Sequence, residues 1–373
     1  MMNHLLTKVA TISLASLLTI NTMADNNTKK YSDKELEQKW TVFNTPHGTL
    51  PFNSINEDEY LPAMRLGMKL HKAEIEKIAN NPEAPTFENT IEALSESGQM
   101  LSNVQYCFYN LTSAETNDKL DAIAEEISPE ETDHNNEIYQ NEKLFARVKA
   151  VRNSKEVANL DIEGVKLVEK VYEGFEAMGA SLDADKKKQF AELTKNLSQL
   201  TLKFGQNVLK ATNEYTLKVS DIKELSGLPN SSLEPAKALA KKENYDGWIF
   251  TLKAPSYVPF MKYADNEELR KQMYMAYNTR ATSGQFDNTG IIKEITKTRL
   301  EIAKLLGYKN HADKVLRHRM AKNEQNVYNL LNQLLDAYKP TAEKEVEAVR
   351  KLSGKKELMP WDWSYYSEKL REK

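Results

Sequence analysis

A chain of 373 residues, 40% hydrophobic and 28% charged, has the apolar content for one large domain or two to three ordinary ones. Its 51 basic and 54 acidic residues leave a formal charge of −3 with no concentrated basic stripe, which disfavours nucleic acid as a partner. Among its 13 glycines there is no G-x-x-x-x-G-K-[ST] or G-x-G-x-x-G run to cradle a phosphate, so nucleotide chemistry is disfavoured too.

The first 24 residues read as a signal peptide. Residues 1–8 carry one positive charge, residues 9–20 are apolar apart from Ser and Thr, and Thr22-Met23-Ala24 offers the small residues a signal peptidase reads. The stretch is too short to span a bilayer and no Cys follows to carry a lipid anchor, so the expectation is an exported, periplasmic protein. The competing reading is a frayed N-terminal helix. Residues 25–39 are polar and read as a linker or a frayed start.

Beyond the turn-like "NTPHGTLPF", Asn56 and Glu59 resemble a capping box for a helix bearing Met64, Met68, Ile75 and Ile78, with Pro62 either kinking it or marking its start. Thr86, followed by Glu88 in the first turn, opens a second helix with Ile91, Leu94, Leu101, Val104, Phe108 and Leu111 at helical spacing. Cys107, the only cysteine, lies in that pattern and reads as a small core hydrophobe, unable to form an internal disulfide. From Asp183 to about residue 213, Phe190, Leu193, Leu197, Leu200, Phe204 and Val208 recur at three and four residues, the pattern of a long packed helix. "EYTLKVSD" and "DGWIFTLK" alternate like strands around a short helix at 232–242, which adds a small β element near 214–253. Asn288 reads as the cap of a helix ending at Gly307, and Asn323 as the cap of one that Pro340 interrupts. The apolar faces of both read as core until shown otherwise.

Chemistry is harder to find. His4 lies in the signal and His47 in a turn; His71 has Glu74 three residues on but no second histidine nearby in sequence. His134 sits among Glu130, Glu131, Asp133 and Glu137 and reads as part of a solvated acidic face. His311 and His318 are seven apart, about 10 Å along a helix, too far for one zinc. Neither H-E-x-x-H, H-x-x-E-H nor G-x-S-x-G occurs, so the residues alone assign no catalytic and no metal-binding position.

Several long stretches nevertheless share the wording of one group. "FNTPHGTLPFNSINEDEYLPAMRLGM", "APTFENTIEAL", "FGQNVLKATNEYTLKV" and "MPWDWSYYSEKLREK" resemble successive segments of the thimet oligopeptidase family of zinc metallopeptidases, with the Pro-Trp-Asp-Trp wording most like its dipeptidyl carboxypeptidase branch. The resemblance covers residues from about 40 to 373. It implies a mainly α, two-lobed body with a deep channel, in which zinc on an H-E-x-x-H helix activates water to cleave short unstructured peptides, releasing C-terminal dipeptides. In that family the zinc motif lies downstream of the tryptophan-rich segment, so no ligand or general base carries over to this chain. The expected division is a signal over 1–24, an N-terminal helical lobe over 25–263 and the opening of a catalytic domain over 264–373, with the C-terminal part of the fold missing, which would leave apolar faces such as Leu330, Leu334 and Tyr338 without part of their packing. Two functions follow as expectations: a truncated exported peptidase, inactive by itself, or a non-catalytic lobe that binds peptides or a partner. In either case a monomer is favoured. Trp361, Trp363, Tyr365 and Tyr366 read as packing residues before channel-lining ones.

Overall fold

The computed structural model describes residues 31–373. The expected signal peptide, 1–24, lies outside them. The chain divides into two compact units, Met1–Ser181 and Leu182–Lys373. Both are built from helices, and the only sheet among the described residues has two strands, as expected for a mainly α fold.

The first unit begins with α1 (Asp33–Thr41), where the sequence suggested a linker. Ser32 accepts from the Glu35 amide while the Glu35 carboxylate receives the Ser32 N–H at 2.9 Å, a reciprocal cap that nucleates the helix. Leu36 and Trp40 then bury against the body, with the Trp40 ring 5.9 Å from Tyr60 and Tyr60 5.2 Å from Phe108. In α2 (Tyr60–Ala79), Pro62 occupies the first turn, where a missing N–H costs nothing, so it marks the start instead of kinking the helix. Asn56 does not cap α2; its amide donates to Glu59 at 3.0 Å within the preceding turn.

Thr86 does cap its helix, reciprocally with Asn89, yet the first stretch winds as a π-helix, Phe87–Glu92, before α3 (Ala93–Glu96). The loop before it is pinned by the buried Arg147, which donates to the carbonyls of Asn81 at 2.9 Å and Glu83 at 3.0 Å and to Asn89 Oδ1 at 2.8 Å. Gly98, at φ 74°, turns the chain into α4 (Gln99–Ala114), and α5 (Asp118–Tyr139), α6 (Glu142–Arg152) and α7 (Ile162–Ala177) follow. α2 packs between α4 and α5, while α6 and α7 close on the π-helix around Ile75, Ile91, Leu144, Val148 and Phe175.

The second unit opens with α8 (Ala184–Glu214), close to the expected start, with Asp183 as its N-cap accepting from the Lys186 amide at 3.0 Å. Then come β1 (Thr216–Val219), α9 (Asn230–Lys242) and β2 (Trp248–Thr251), the strands antiparallel with Leu217 opposite Phe250. Next in order are α10 (Ala254–Tyr263), α11 (Glu267–Asn278), α12 (Thr289–Leu305), α13 (His311–Leu316), α14 (Glu324–Ser353) and α15 (Trp363–Arg371). α12 lies along α8, fastened by a buried amide pair: Asn207 donates to Asn288 Oδ1 at 2.9 Å, and Asn288 Nδ2 donates to the Phe204 carbonyl at 3.1 Å. The Asn288 side chain is therefore engaged across the helix pair and does not cap α12, although Gly307 does take the left-handed position, φ 85°.

α14 departs from expectation at Pro340, through which it runs unbroken, while its stripe of Leu330, Leu331, Leu334, Leu335 and Tyr338 is exposed, Tyr338 at 67%, as expected of a face lacking part of its packing. Because that part of the helix is surrounded by solvent, the carbonyl that Pro340 deprives of its donor can turn to water, which softens the break. Only the distal end is seated, through Val349. Among the described residues no helix is long and apolar enough to cross a membrane.

Candidate functional site

Helix α2 presents His71 and helix α5 presents His134, 63 residues later, and the fold sets the two rings 5.1 Å apart at 60°. His134 Nε2 and His71 Nδ1 stand 3.0 Å apart. The sequence placed His134 on a solvated face. Its acidic neighbours are indeed outward, Glu130 paired with Arg65 and Glu137 with Lys72 at 2.5 Å, but His134 itself is only 8% exposed.

Proton positions follow from the partners. The Ser97 hydroxyl donates to the Leu94 carbonyl at 2.8 Å, so its remaining contact, His71 Nε2 at 3.2 Å, is one in which the imidazole donates. His71 Nδ1 is then the acceptor, and it takes the Nε2 proton of His134. Burial pushes both imidazoles below their ordinary range, His134 to about 4, and on His71 it outweighs the opposing pull of Glu74. Both rings are neutral at pH 7.

A cavity of about 330 Å³ opens beside the pair, lined among others by His71, Ser97, Asn135, Tyr139, Lys170 and Phe175. Ser97 and His71 do not make a nucleophile and base in this arrangement. The hydroxyl proton is committed to Leu94, and the nearby Gly98 N–H, a potential oxyanion donor, is occupied by Glu74 Oε2 at 2.7 Å. No local signal marks the site beyond His71 and His134 taken singly, since nothing local reports a contact across 63 positions.

The aromatic segment of the second unit is a packing device, as its composition suggested. Asp362, fully buried, accepts from Arg270 Nη2 at 2.9 Å and from Lys355 Nζ at 2.7 Å, and Arg270 also donates to the carbonyls of Ala264 at 2.8 Å and Asp265 at 3.0 Å. Burial alone would raise the Asp362 carboxyl, yet Lys355, the Met359 amide and Arg270 together hold it below the usual range. Trp361 packs edge-on to Tyr274, and Tyr365 donates to Asp265 at 2.7 Å with the Arg270 guanidinium 4.2 Å over its ring. Trp363 remains 40% exposed. Cys107 is enclosed beside the Tyr60 hydroxyl at 3.3 Å, and burial pushes its thiol up, so it is no nucleophile.

Two family profiles match the chain, "Neurolysin/Thimet oligopeptidase, N-terminal domain" over residues 64–187 and "Peptidase family M3" over 260–373. Over those two stretches the chain matches the M3 oligopeptidases. Its M3 relatives include an Oligopeptidase A of Escherichia coli (strain K12), 33% identical over 337 residues covering 88% of this chain and 50% of the relative. The Dipeptidyl carboxypeptidase of the same organism is 32% identical over 342 residues, covering 90% and 50%. An organellar Oligopeptidase A of Arabidopsis thaliana is 33% identical over 335 residues, covering 86% and 42%. The chain thus spans about half the length of the curated relatives it matches.

An M3 peptidase calls for zinc held by three protein ligands, and the residues described do not fit that group. Among them no cluster of three or more His, Cys, Asp or Glu side chains is placed to hold a metal ion. No catalytic step through zinc can be assigned to this chain's residues.

Proposed function

We propose that this chain forms the N-terminal lobe and the opening of the catalytic domain of an exported, periplasmic, zinc-dependent oligopeptidase, one that hydrolyses short peptides and releases C-terminal dipeptides. The observation that carries the reading is the pair of family matches in chain order, supported by relatives whose names are oligopeptidase and dipeptidyl carboxypeptidase. Zinc belongs to the longer enzyme, and the 373 residues alone are expected to be inactive. A blocked oligopeptide incubated with the purified chain and zinc tests this: product should stay at background, and chelator-sensitive cleavage would overturn the inactivity.

The exposed apolar stripe of α14 favours a second reading, a secreted helical lobe that binds a peptide or partner without cleaving it. Sequencing the gene past codon 373 in every frame separates the two. An H-E-x-x-H segment there supports the peptidase, and its absence supports the binding lobe. For the longer enzyme, mass spectrometry of the products should find dipeptides from the C-terminus.

A further inference from the structure

The histidine pair has the dimensions of a chelate. Two nitrogens bound about 2.05 Å from one ion stand about 2.9 Å apart at a right angle and about 3.4 Å apart at the tetrahedral angle. His71 Nδ1 and His134 Nε2 stand at 3.0 Å, carried by two different helices whose spacing is fixed by the packing of α2 against α5. The outer support of one ligand is already in place, because His71 donates its Nε2 proton to Ser97 Oγ at 3.2 Å and so keeps Nδ1 as a lone pair facing inward. A hydrogen bond from the far nitrogen to an oxygen is what orients metal-bound imidazoles and raises their basicity. The cavity of about 330 Å³ beside His71 gives water ligands room to complete the coordination shell.

The surrounding charge is suitable. Glu74, on the same helix as His71, and Glu137, on the same helix as His134, both favour positive charge at the rings. Lys72 opposes it from α2 but is tied to Glu137 at 2.5 Å, and Lys170, across the cavity on α7, is tied to Glu173 at 2.8 Å.

We propose that His71 and His134 chelate one divalent transition-metal ion between helices α2 and α5, beside the cavity that His71 lines, with Cu(II) bound more tightly than Ni(II). Copper leads the affinity order for nitrogen ligands, and the near-right angle suits tetragonal or octahedral geometry over tetrahedral. On binding, each ring turns so that its lone pair leaves the partner nitrogen and meets the ion, and His134 moves its proton from Nε2 to Nδ1. Both imidazoles stay neutral and no proton is released.

The test is titration of CuCl2 or NiCl2 into the purified chain by calorimetry, with electron paramagnetic resonance of the copper form to count nitrogens. The expected result is one ion per chain with two imidazole nitrogens, lost in His71→Gln and in His134→Gln and untouched by the double change His311→Gln with His318→Gln. Ser97→Ala keeps both ligands but removes the orienting partner, and should weaken binding about tenfold or more. Absence of binding by the native chain, or binding that follows His311 and His318, overturns the proposal. So does full binding by the His71 and His134 variants once circular dichroism shows them folded. If those two do not fold, Ser97→Ala decides: unchanged affinity overturns the site.

Discussion

Gly98 is the residue on which the histidine site turns. Its φ of 74° is a conformation side chains resist, and a Cβ placed there would stand 2.9 Å from His71 Nδ1. With no ion bound, the bonds to Ser97 and His134 hold the His71 ring against Gly98. Gly98→Ala is therefore expected to cost about 2–3 kcal/mol from backbone strain plus overpacking. Gly205, in the interior of α8, has open space where a Cβ would go, so Gly205→Ala should gain up to about 1 kcal/mol. Urea unfolding at constant slope measures both, and equal effects of the two changes would contradict the argument. At this scale the sequence is legible where the physics is local. Asp183 and Asn323 each accept from the amide three residues on, as a cap must. Asn288 looked the same on paper, but a partner 81 residues away, Asn207, claims its side chain, and no local pattern records that.

Among the elements, α14 formed where its periodicity placed it, and its face is uncovered, as expected of Leu330, Leu334 and Tyr338. Its apolar spacing specifies an amphipathic helix, and a helix formed, but periodicity names a face without naming what covers it. Leu331→Gln combined with Leu335→Gln, at residues 51% and 58% exposed, should leave unfolding stability within about 0.5 kcal/mol. The same change should reduce binding of an apolar dye and slow self-association. A stability loss of several kcal/mol in that variant would mean that the stripe is buried in solution. The strand pair and α9 between them were legible because the alternation of each strand and the helical spacing between them are local signals.

For the whole molecule, acid should be more damaging than its near-neutral charge suggests. Asp265 and Asp362 are held below the ordinary carboxylate range by their hydrogen-bond partners against the opposing effect of burial, and Glu368 is brought down to about 2, chiefly by Arg371. Unfolded, the same groups titrate near 4, so as the pH falls the unfolded chain takes up protons first. Their contribution is complete above about pH 5 and is lost progressively as the pH falls toward 2. The thermal midpoint should hold from pH 7 to 5 and then drop. Asp362→Asn, which leaves the buried Arg270 unpaired, should cost about 3–5 kcal/mol at pH 7 and flatten that drop. An unchanged acid profile in the variant would show that other groups control it.

The enclosure of Cys107 has a practical side. The chain's only thiol is walled in beside Tyr60 and is poorly ionised, so it should ignore maleimide reagents under native conditions. These 373 residues are consequently a blank background for site-directed labelling. A single Tyr338→Cys change would carry a spin label or fluorophore on the exposed face of α14, with no competing site to remove, and would report directly on whatever comes to lie against that helix.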